Sequence, residues 1–319
     1  MRPDHMVSLP QNLNRVLVIK LGALGDFVQA MGPFQAIRAA LPQAQITLLT
    51  TRPFVELATR SGWFDQVWTD QRPRSIPGYW ALRRQLLAGR FDMIFDLQTS
   101  DRSGNYWRML WPHRPLISGI VKGASHPHAN PDRNHMHTLE RQRDQLAMAG
   151  IATVPAPRVD WMQGDIQGLN MPDRFGLIVP GGSAHRPDKR WPADRFASLA
   201  QSWAQAGLTP VIIGTGADSD WTHVVAQACP QAIDLTGQTE LFQLASLCRR
   251  AEIAVGNDTG PMHLAAVAGC PCLVLYSKAS DPALCAQKGP SVRLLQVDDL
   301  GDLSVASVMD RLSGTLATP

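Results

Sequence analysis

The sequence predicts an α/β protein made of two domains, each with a parallel sheet covered by helices on both faces. In both halves of the 319-residue chain, short apolar runs alternate with longer segments of helical spacing. That order is typical of βαβ units. Residues 150–172 interrupt it with prolines and glycines and are predicted to link the domains. The predicted domains are residues 1–155 and 156–319.

The first predicted strand, residues 15–20, leads into a loop with Gly22 and Gly25 and then a helix over residues 27–40. Glycines in this position are typical of nucleotide-binding folds, but the full GxGxxG pattern is absent, which gives a dinucleotide site little support. Asp26 begins the helix at the carboxyl end of the strand, where open α/β sheets bind ligands. Two roles stay open for Asp26: helix N-cap, or general base facing an interdomain cleft.

The rest of the first half continues the alternation. Further strands are predicted over residues 45–50, 66–68 and 91–97, and helices over residues 54–61, 79–88 and 138–149. In a parallel sheet the carboxyl ends of neighbouring strands meet at one edge. Asp96 and Gln98 therefore stand at the same edge as Asp26 and are secondary site candidates.

Residues 112–137 carry five histidines, among them the pairs His126-x-His128 and His135-x-His137. Such pairs are typical of metal sites, yet no set of carboxylate or cysteine ligands accompanies them. We expect instead a mobile loop over a binding cleft.

The second half begins with a predicted strand over residues 175–179, which opens into Gly181-Gly182-Ser183 and, further on, the cation Lys189. A glycine-rich loop and a lysine ahead of a helix form a phosphate site, with a basic surface loop as the alternative. Later strands are predicted over residues 211–213, 233–235, 253–255, 272–276 and 292–296, with helices over 221–228, 241–250 and 304–312. A further helix is predicted to have Pro192 in its first turn and to carry Phe196, Leu199 and Trp203. Asp218-Ser219-Asp220 matches a metal-binding DxD pattern, but it precedes a helix and is interpreted as a cap.

The strand over residues 253–255 leads into Asn257-Asp258-Thr259-Gly260 and then an alanine-rich helix. Asp258 or Thr259 can cap this helix, and Gly260 lets a ligand approach the backbone. The free N–H groups and the helix dipole predict an anion site, which His263 could reach from one turn further on. The alternative is an ordinary capped helix with a surface histidine.

The net charge of +3 conceals an asymmetry: residues 1–150 carry +7 and residues 151–319 carry −4. A basic domain beside an acidic one suggests that the first domain meets an anionic partner. The five cysteines are odd in number and include no CxxC pair, as expected for core thiols in a reducing compartment. Neither a signal peptide nor an apolar run of membrane-spanning length is present, so we expect a cytoplasmic protein, at most peripheral to a membrane.

Three motifs together resemble glycosyltransferase family 9, the lipopolysaccharide heptosyltransferases. The strongest is Asn257-Asp258-Thr259-Gly260-Pro261-x-His263-x-Ala265-Ala266, supported by Asp188-Lys189-x-Trp191-Pro192 and by Leu24-Gly25-Asp26. The resemblance covers nearly the whole chain and implies a GT-B fold of two Rossmann-like domains facing a cleft. It also implies inverting, metal-independent transfer of a heptose from ADP-heptose to the lipopolysaccharide core, an anionic lipid-linked acceptor.

The resemblance also implies roles for single residues. Asp26 would be the general base and Lys189 the phosphate cation. Other donor contacts would come from the C-terminal domain: Gly181, Gly182, Ser183, Asp258, Thr259, Gly260 and His263. The N-terminal domain would bind the acceptor, with Gly25, Gln29, Asp96, Gln98 and Asp101 as candidates. No cofactor, metal or nucleic acid partner is implied, and a peripheral contact with the inner membrane stays open.

The chain departs from the family pattern where Tyr276-Ser277-Lys278-Ala279-Ser280-Asp281-Pro282 replaces a shorter stretch with glycine, and where Gln29 replaces a common histidine. A family 9 transferase with another nucleotide sugar or acceptor is therefore a second hypothesis. A noncatalytic nucleotide-sugar-binding module is a third, which the presence of both Asp26 and Lys189 disfavours. A nicotinamide dehydrogenase is disfavoured because the first loop lacks its third glycine. The closing helix, residues 304–312, is assigned to the second domain, with packing toward the first left open.

Overall fold

The computed structural model describes residues 8–182 and 185–313. The chain forms two compact units, Met1–Pro157 and Arg158–Pro319, and each contains one six-stranded sheet. All strand pairs in both sheets are parallel. The α/β class and the parallel sheets predicted from the alternating segments are confirmed. Within the described ranges, no helix has both the length and the apolar character to cross a bilayer.

The first unit has the strand order β3-β2-β1-β4-β5-β6. Its strands are β1 (Arg15–Ile19), β2 (Gln45–Thr50), β3 (Gln66–Thr69), β4 (Met93–Asp96), β5 (Leu116–Gly119) and β6 (His126–Pro127). Its helices are α1 (Leu24–Gln29), α2 (Met31–Ala40), α3 (Val55–Arg60), α4 (Ile76–Ala88), α5 (Asp101–Arg108) and α6 (Thr138–Met148). The strand β1 lies between β2 and β4, so the segments that follow these three strands share one edge of the sheet.

The predicted helix over residues 27–40 is two helices, with Ala30 between α1 and α2. Pro33 has no N–H to donate to the carbonyl of Gln29, the residue at which α1 ends. The predicted helix 79–88 begins earlier, at Ile76, because the Ser75 hydroxyl accepts a hydrogen bond from the Gly78 N–H and caps it.

The histidine-rich stretch differs from the predicted loop over a cleft. His126, His128 and His137 are buried, and His126 lies in β6 at the edge of the first sheet. His128 Nε2 is 2.8 Å from Asp144 Oδ2 on α6. Burial lowers the pKa of His128 below its usual value, although Asp144 opposes that shift. These histidines are therefore part of the packing of the first unit.

The second unit has the strand order β12-β11-β10-β7-β8-β9. Its strands are β7 (Phe175–Val179), β8 (Thr209–Ile212), β9 (Ile233–Asp234), β10 (Ile253–Asn257), β11 (Cys272–Tyr276) and β12 (Val292–Gln296). Its helices are α7 (Ala193–Gln205), α8 (Ser219–Ala228), α9 (Leu241–Arg250), α10 (Gly260–Val267), α11 (Pro282–Cys285) and α12 (Val305–Leu312). The strands β7, β10 and β11 are adjacent and completely buried, so their carboxyl ends lie together.

Two tryptophans, Trp191 and Trp203, are the largest fully buried side chains of the second unit. Each removes roughly 150–250 Å² of surface from water. A Cβ at Gly176 would lie 2.5 Å from the Trp203 ring, which explains the glycine within β7. Val308 and Leu312 of α12 join the same core cluster. The closing helix thus buries its apolar face within the second unit.

Candidate functional site

The carboxyl end of β10 places Asp258 at the centre of a polar cluster. Lys189, from the 3₁₀ turn Pro187–Lys189, brings its Nζ to 2.8 Å from Asp258 Oδ2. The same Nζ is 2.9 Å from Ser280 Oγ, and Ser280 Oγ donates to Asp258 Oδ2 at 2.7 Å. Three segments that are far apart in the sequence therefore hold one cation and one anion together.

The second oxygen of Asp258 is also bound. Tyr276 Oη and Gln287 Nε2 each lie 3.1 Å from Asp258 Oδ1, and Tyr276 Oη lies 2.7 Å from Gln287 Oε1. Burial acts to raise the pKa of Asp258, but the hydrogen bonds from Lys189 and Ser280 outweigh it, so the pKa falls below its ordinary value. Burial raises the pKa of Tyr276, which keeps the phenol neutral. Asp258 is thus a fixed anion surrounded by donors.

Asn257 fixes the glycine-rich loop after β7. Its side chain is fully buried, and Nδ2 donates to the carbonyls of Pro180 and Gly181 at 2.9 and 3.1 Å. Its Oδ1 accepts from the Trp191 N–H at 2.9 Å. One amide thereby joins the end of β10 to both ends of the segment that carries Lys189. Ser183, predicted to bind phosphate, lies outside the described residues.

Asp218 holds the same loop from the other side. Its Oδ1 accepts from the Gly182 N–H at 3.1 Å, and its Oδ2 accepts from the Thr215 N–H at 2.9 Å. A Cβ at Gly181 would lie 2.4 Å from Asp218 Oδ1, so only glycine fits there. Asp218 stands at the N-cap position of the following helix α8, but within the described residues its side chain makes no capping bond to that helix, so the predicted cap of α8 is wrong. Its bond to the Thr215 N–H is part of a capping box at the 3₁₀ turn Gly216–Asp218. The carboxylate binds backbone N–H groups of the loop instead.

The helix α10 begins directly after this cluster. Thr259 occupies the N-cap position, but its Oγ1 donates to the Asn257 carbonyl at 3.2 Å. The expected capping by Asp258 or Thr259 side chains is therefore wrong: neither makes such a bond in the part of the chain that the structure describes. The first N–H groups of α10, from Gly260 onward, and the positive end of its dipole stay available to an anion. His263 is buried rather than a surface side chain, and its charge helps to lower the pKa of Asp258.

The first unit positions Asp26 near a buried lysine. Asp26 lies in the first turn of α1, and Ala23, not Asp26, is the N-cap residue. Asp26 is therefore not the N-cap residue itself, but it still has a capping role: from position N3 its Oδ2 accepts from the N–H of the N-cap residue Ala23 at 3.2 Å. Asp26 lines a polar cavity of about 100 Å³ together with Lys20, Gln98, Arg141 and Gln142, among others.

Lys20, missed in the sequence, ends the run of β1 and is buried. Its Nζ donates to the Leu97 carbonyl at 3.1 Å. Burial lowers the pKa of Lys20, and the charges of Asp26 and Asp96 oppose that shift. Lys20 could have been recognised from the sequence, because it follows an apolar strand directly and so stands at the carboxyl edge of the sheet, where parallel sheets bind ligands.

The remaining candidates of the first unit have different environments. Asp96 is completely buried, and its carboxylate accepts from the Ser103 hydroxyl at 2.9 Å. Burial raises the pKa of Asp96 to about 6. Gln98 Oε1 accepts from the Leu21 N–H at 2.8 Å, whereas Asp101 is exposed in the first turn of α5. The structure therefore brings Gln98 to the Asp26 cavity and leaves Asp101 on the surface.

Two more residues of α1 were predicted from the sequence. Gly25 and Gln29 are both buried. Within the described residues, the Nε2 of Gln29 has no hydrogen-bond partner. A larger cavity, of about 830 Å³, lies at the carboxyl ends of β1, β2 and β3, with Arg52, Asp70 and Arg72 among its lining residues. The two arginines make this cavity suited to an anionic ligand. Neither arginine was identified as a site residue from the sequence.

No group of three or more metal-binding side chains occurs in residues 8–182 and 185–313. In the second unit, the chemistry available is a lysine ammonium and a helix N-terminus for an anion, beside a carboxylate that can accept hydroxyl hydrogen bonds. In the first unit it is a carboxylate beside a buried ammonium. The former suits a phosphorylated ligand, and the latter suits proton transfer from a hydroxyl group.

Comparison with known proteins agrees with the motifs. The sequence model of glycosyltransferase family 9 (heptosyltransferase) matches residues 79–295, more than half of the chain. Lipooligosaccharide heptosyltransferase 2 of Haemophilus influenzae is 30% identical over 123 residues, or 36% of this chain and 35% of that relative. The chain thus spans about a third of the length of this relative. Lipopolysaccharide heptosyltransferase 1 of Escherichia coli is 22% identical over 335 aligned residues, or 94% of this chain and 99% of that relative.

Solved structures agree in fold. The ADP-heptose lipopolysaccharide heptosyltransferase II of Escherichia coli superposes with a TM-score of 0.76 at 19% identity, over 94% of this chain and 98% of that chain. Its likeness identifies the two parallel-sheet units as the GT-B fold. Because the family model matches more than half of the chain, residues 79–295, the chain belongs to glycosyltransferase family 9, the heptosyltransferase family.

Proposed function

We propose that this chain transfers a heptose from ADP-heptose to a saccharide of the lipopolysaccharide core, with inversion of the anomeric centre and without a metal. The observation that carries the proposal is the cluster of Lys189, Asp258 and Ser280 beside the N-terminus of α10. It offers positive charge for a diphosphate and a carboxylate that holds this charge in place. A related protein of the same fold is described as an ADP-heptose transferase, which supports the choice of donor.

We assign the donor to the second unit. Lys189 and the N–H groups of α10, including that of Gly260, stabilise the negative charge that grows on the leaving ADP. Gly181 and Gly182 allow the loop to approach the diphosphate closely. Asp258 accepts from Lys189 and from Ser280, Tyr276 and Gln287, so its role is to orient the Lys189 ammonium toward the diphosphate. Because these groups supply positive charge directly, the reaction proceeds without a divalent cation.

We assign the acceptor and the general base to the first unit. Asp26 removes the proton from the acceptor hydroxyl while that oxygen attacks the anomeric carbon from the face opposite ADP. The C–O bond to the diphosphate breaks in the same displacement, which inverts the centre. Lys20 lines the same cavity; burial lowers its pKa, and the charges of Asp26 and Asp96 oppose that shift. The buried Oε1 of Gln142, which has no partner within the described residues, is suited to a second acceptor hydroxyl.

The acceptor proposed here is anionic and lipid-linked. The first 150 residues carry a net charge of +7, and Arg52 and Arg72 line the larger cavity of the first unit. An acceptor anchored in the inner membrane places the enzyme in the cytoplasm, in peripheral contact with that membrane. Gly25, Gln29, Asp96 and Gln98 remain proposed acceptor-side residues, and Asp96, which is completely buried, supports the site without touching the acceptor. We do not assign the exposed Asp101 to the acceptor site.

The test is an assay of ADP release with purified protein, ADP-heptose and a core acceptor, in the presence of EDTA. Parallel reactions with UDP- and GDP-sugars address the alternative of another family 9 donor, which the altered stretch from Tyr276 to Pro282 keeps open. Calorimetric titration with ADP, UDP, GDP and NAD provides a second measurement. Donor binding without any transfer would favour a noncatalytic module, and tight binding of NAD would contradict the proposal.

A further inference from the structure

The first unit exposes a cluster of large apolar side chains. Seven such side chains are exposed among the described residues, and six of them lie between residues 76 and 120. The six are Ile76, Tyr79, Trp80, Trp111, Leu116 and Ile120, and the seventh is Val224 in the second unit. Single exposed apolar residues are ordinary, but a concentration in one part of a sequence indicates an interaction surface.

The helix α4 presents three of them on its outer side. Ile76, Tyr79 and Trp80 stand at helical spacing i, i+3 and i+4, and their exposed fractions are 75%, 39% and 63%. The same helix buries Leu82 and Leu86 in the core of the first unit. The helix therefore uses its inner face for folding, while Ile76 and Trp80 keep most of their surface exposed on the outer side.

Arg83 joins this helix to the segment that carries Trp111. Its Nε donates to the Met109 carbonyl at 2.7 Å, and its Nη2 donates to the Trp111 carbonyl at 3.1 Å. Its guanidinium carbon also lies 5.7 Å from the centre of the Trp80 ring. Trp80 and the 67% exposed Trp111 consequently belong to one surface. We call the outer side of α4 together with residues 109–114 the Trp80–Trp111 surface.

The chain segments that form this surface are rich in basic residues. Residues 71–91 contain five arginines and no acidic residue, and residues 102–131 contain three arginines and one lysine, again with no acidic residue. A groove of about 480 Å³ adjoins it, lined by apolar side chains such as Leu86 and Leu110 together with Arg90 and His113. Apolar groups are therefore bordered by cations on the same surface.

We propose that the Trp80–Trp111 surface docks the first unit onto a bilayer of anionic lipid. Exposed tryptophan and tyrosine beside arginine is the combination that enters the headgroup region, with rings at the interface and cations on lipid phosphates. A symmetric contact with a second copy would set two arginine-rich surfaces against each other, which repulsion disfavours. Docking at this surface would give the protein access to a lipid-linked acceptor, and only that purpose rests on the proposed function.

The direct test is co-sedimentation of the full chain with lipid vesicles. We expect binding to vesicles that contain anionic phospholipid, weakened by salt, and little binding to purely zwitterionic vesicles. The double variant Trp80→Ser/Trp111→Ser should bind about tenfold more weakly, because both interfacial rings are lost. Val224→Ser, at an exposed apolar residue of the second unit, should bind like the wild type and is the control.

A second pair of variants separates charge from apolar contact. Arg84→Gln on the outer side of α4 should weaken binding to anionic vesicles without changing the melting temperature. If the double tryptophan variant fails to fold, Ile76→Ser, at the 75% exposed start of α4, replaces it with the same expectation. Equal vesicle binding by the folded tryptophan or Ile76 variant and the wild type would overturn the proposal. A stable dimer that the tryptophan variant dissolves would overturn it as well, in favour of a contact between copies.

Activity assays keep this proposal distinct from the proposed function. With a water-soluble acceptor that lacks its lipid, the Trp80→Ser/Trp111→Ser variant should turn over like the wild type. With the acceptor embedded in vesicles, its turnover should fall about as much as its vesicle binding. Vesicle binding without transfer to either acceptor would refute the proposed function and leave the docking surface standing. Transfer to both acceptors without vesicle binding would refute the docking surface alone.

Discussion

Lys189 and Asp258, 69 residues apart in the sequence, are joined by a 2.8 Å contact between Nζ and Oδ2. The side chains are only 14% and 9% exposed, so the pair lies in surroundings where water screens charge weakly. The lysine proposed to bind the diphosphate is therefore held in place before the donor arrives. A cation that is already ordered loses less entropy when its anion binds.

The first prediction concerns this lysine. Lys189→Ala should weaken ADP binding by about 1–3 kcal/mol, the range for losing a charge-assisted hydrogen bond. Calorimetric titration with ADP measures it directly. Lys288→Ala, an exposed lysine of the same unit, is the control and should leave the affinity unchanged. Equal ADP affinity in the Lys189 variant and the wild type would remove Lys189 from the donor site.

The second prediction concerns the glycine-rich loop. Gly181→Ala places a Cβ 2.4 Å from Asp218 Oδ1, so the loop must shift, at a cost of about 1–3 kcal/mol in the free energy of unfolding. ADP affinity should fall as well, because the loop no longer approaches the diphosphate in the same position. Gly168→Ala is the matched control, since a Cβ there meets nothing within 4 Å. Similar melting temperatures and affinities for the two variants would contradict the loop's role.

The third prediction uses the raised pKa of Asp96. Because the folded-state pKa is about 6 and the unfolded value is about 3.9, the folded protein holds this proton more tightly. Ionisation of Asp96 therefore lowers the free energy of unfolding. The loss is complete at pH values above the folded-state pKa and absent at pH values below the unfolded-state pKa. Asp96→Asn should raise the free energy of unfolding at pH 7 by up to about 3 kcal/mol, and the gain should vanish near pH 3.

Denaturant unfolding of the wild type and Asp96→Asn across pH 3 to about 8 measures this gain. A gain that is absent at pH 7, or that grows as the pH falls, would show that burial does not dominate at Asp96. Turnover should survive the substitution, because the fully buried carboxylate offers no surface to the acceptor. Loss of turnover with intact folding would make Asp96 the base in place of Asp26.

The sequence pattern predicted the strands and helices that carry strong apolar periodicity, such as β1, β7 and α7. It missed α5, β5 and β6, because these elements are only eight, four and two residues long, too short for a periodic pattern to stand out. It also singled out Lys189 and Asp258 from the family motifs. The partners Ser280, Tyr276 and Gln287 could not be found in this way, since their contacts with Asp258 depend on how β11 and its following loop pack beside β10.

The same reasoning explains the two wrong capping assignments. Asp218 and Thr259 both stand before a helix, where their side chains commonly cap. In the folded unit each finds a nearer partner, the Gly182 and Thr215 N–H groups for Asp218 and the Asn257 carbonyl for Thr259. Local sequence specifies that a cap is available, but tertiary contacts decide whether the side chain makes it.

The fourth prediction is that transfer continues in EDTA. In our proposal Lys189 and the N-terminus of α10 stabilise the negative charge of the leaving group, so a divalent cation is not needed for that purpose. Initial rates of ADP release should be the same with EDTA, magnesium or manganese. A reaction that stops in EDTA and resumes with manganese would refute this, and would direct attention to Asp218 and Asp220.

The last prediction concerns Asp26, on which the proposed chemistry depends. Its carboxylate accepts from the Ala23 N–H, and Asn can accept the same bond, so Asp26→Asn should change the free energy of unfolding by less than about 1 kcal/mol, the usual range of a first-turn charge effect. Asn cannot remove a proton, so turnover should fall roughly 10²–10⁴-fold. ADP affinity should stay constant, because the proposed donor residues lie in the second unit.

The matched control for this experiment is Asp101→Asn. Asp101 is likewise a first-turn acidic residue, of α5, but it is exposed, so its loss should leave turnover within about twofold of the wild type, as usual for surface substitutions. Steady-state rates with saturating ADP-heptose and acceptor measure both variants. Near-normal turnover of Asp26→Asn, with the control also active, would show that another group takes the acceptor proton. If instead both variants lose turnover while their melting temperatures hold, the base cannot be assigned to Asp26 alone, and the proton would leave through a site that includes Asp101.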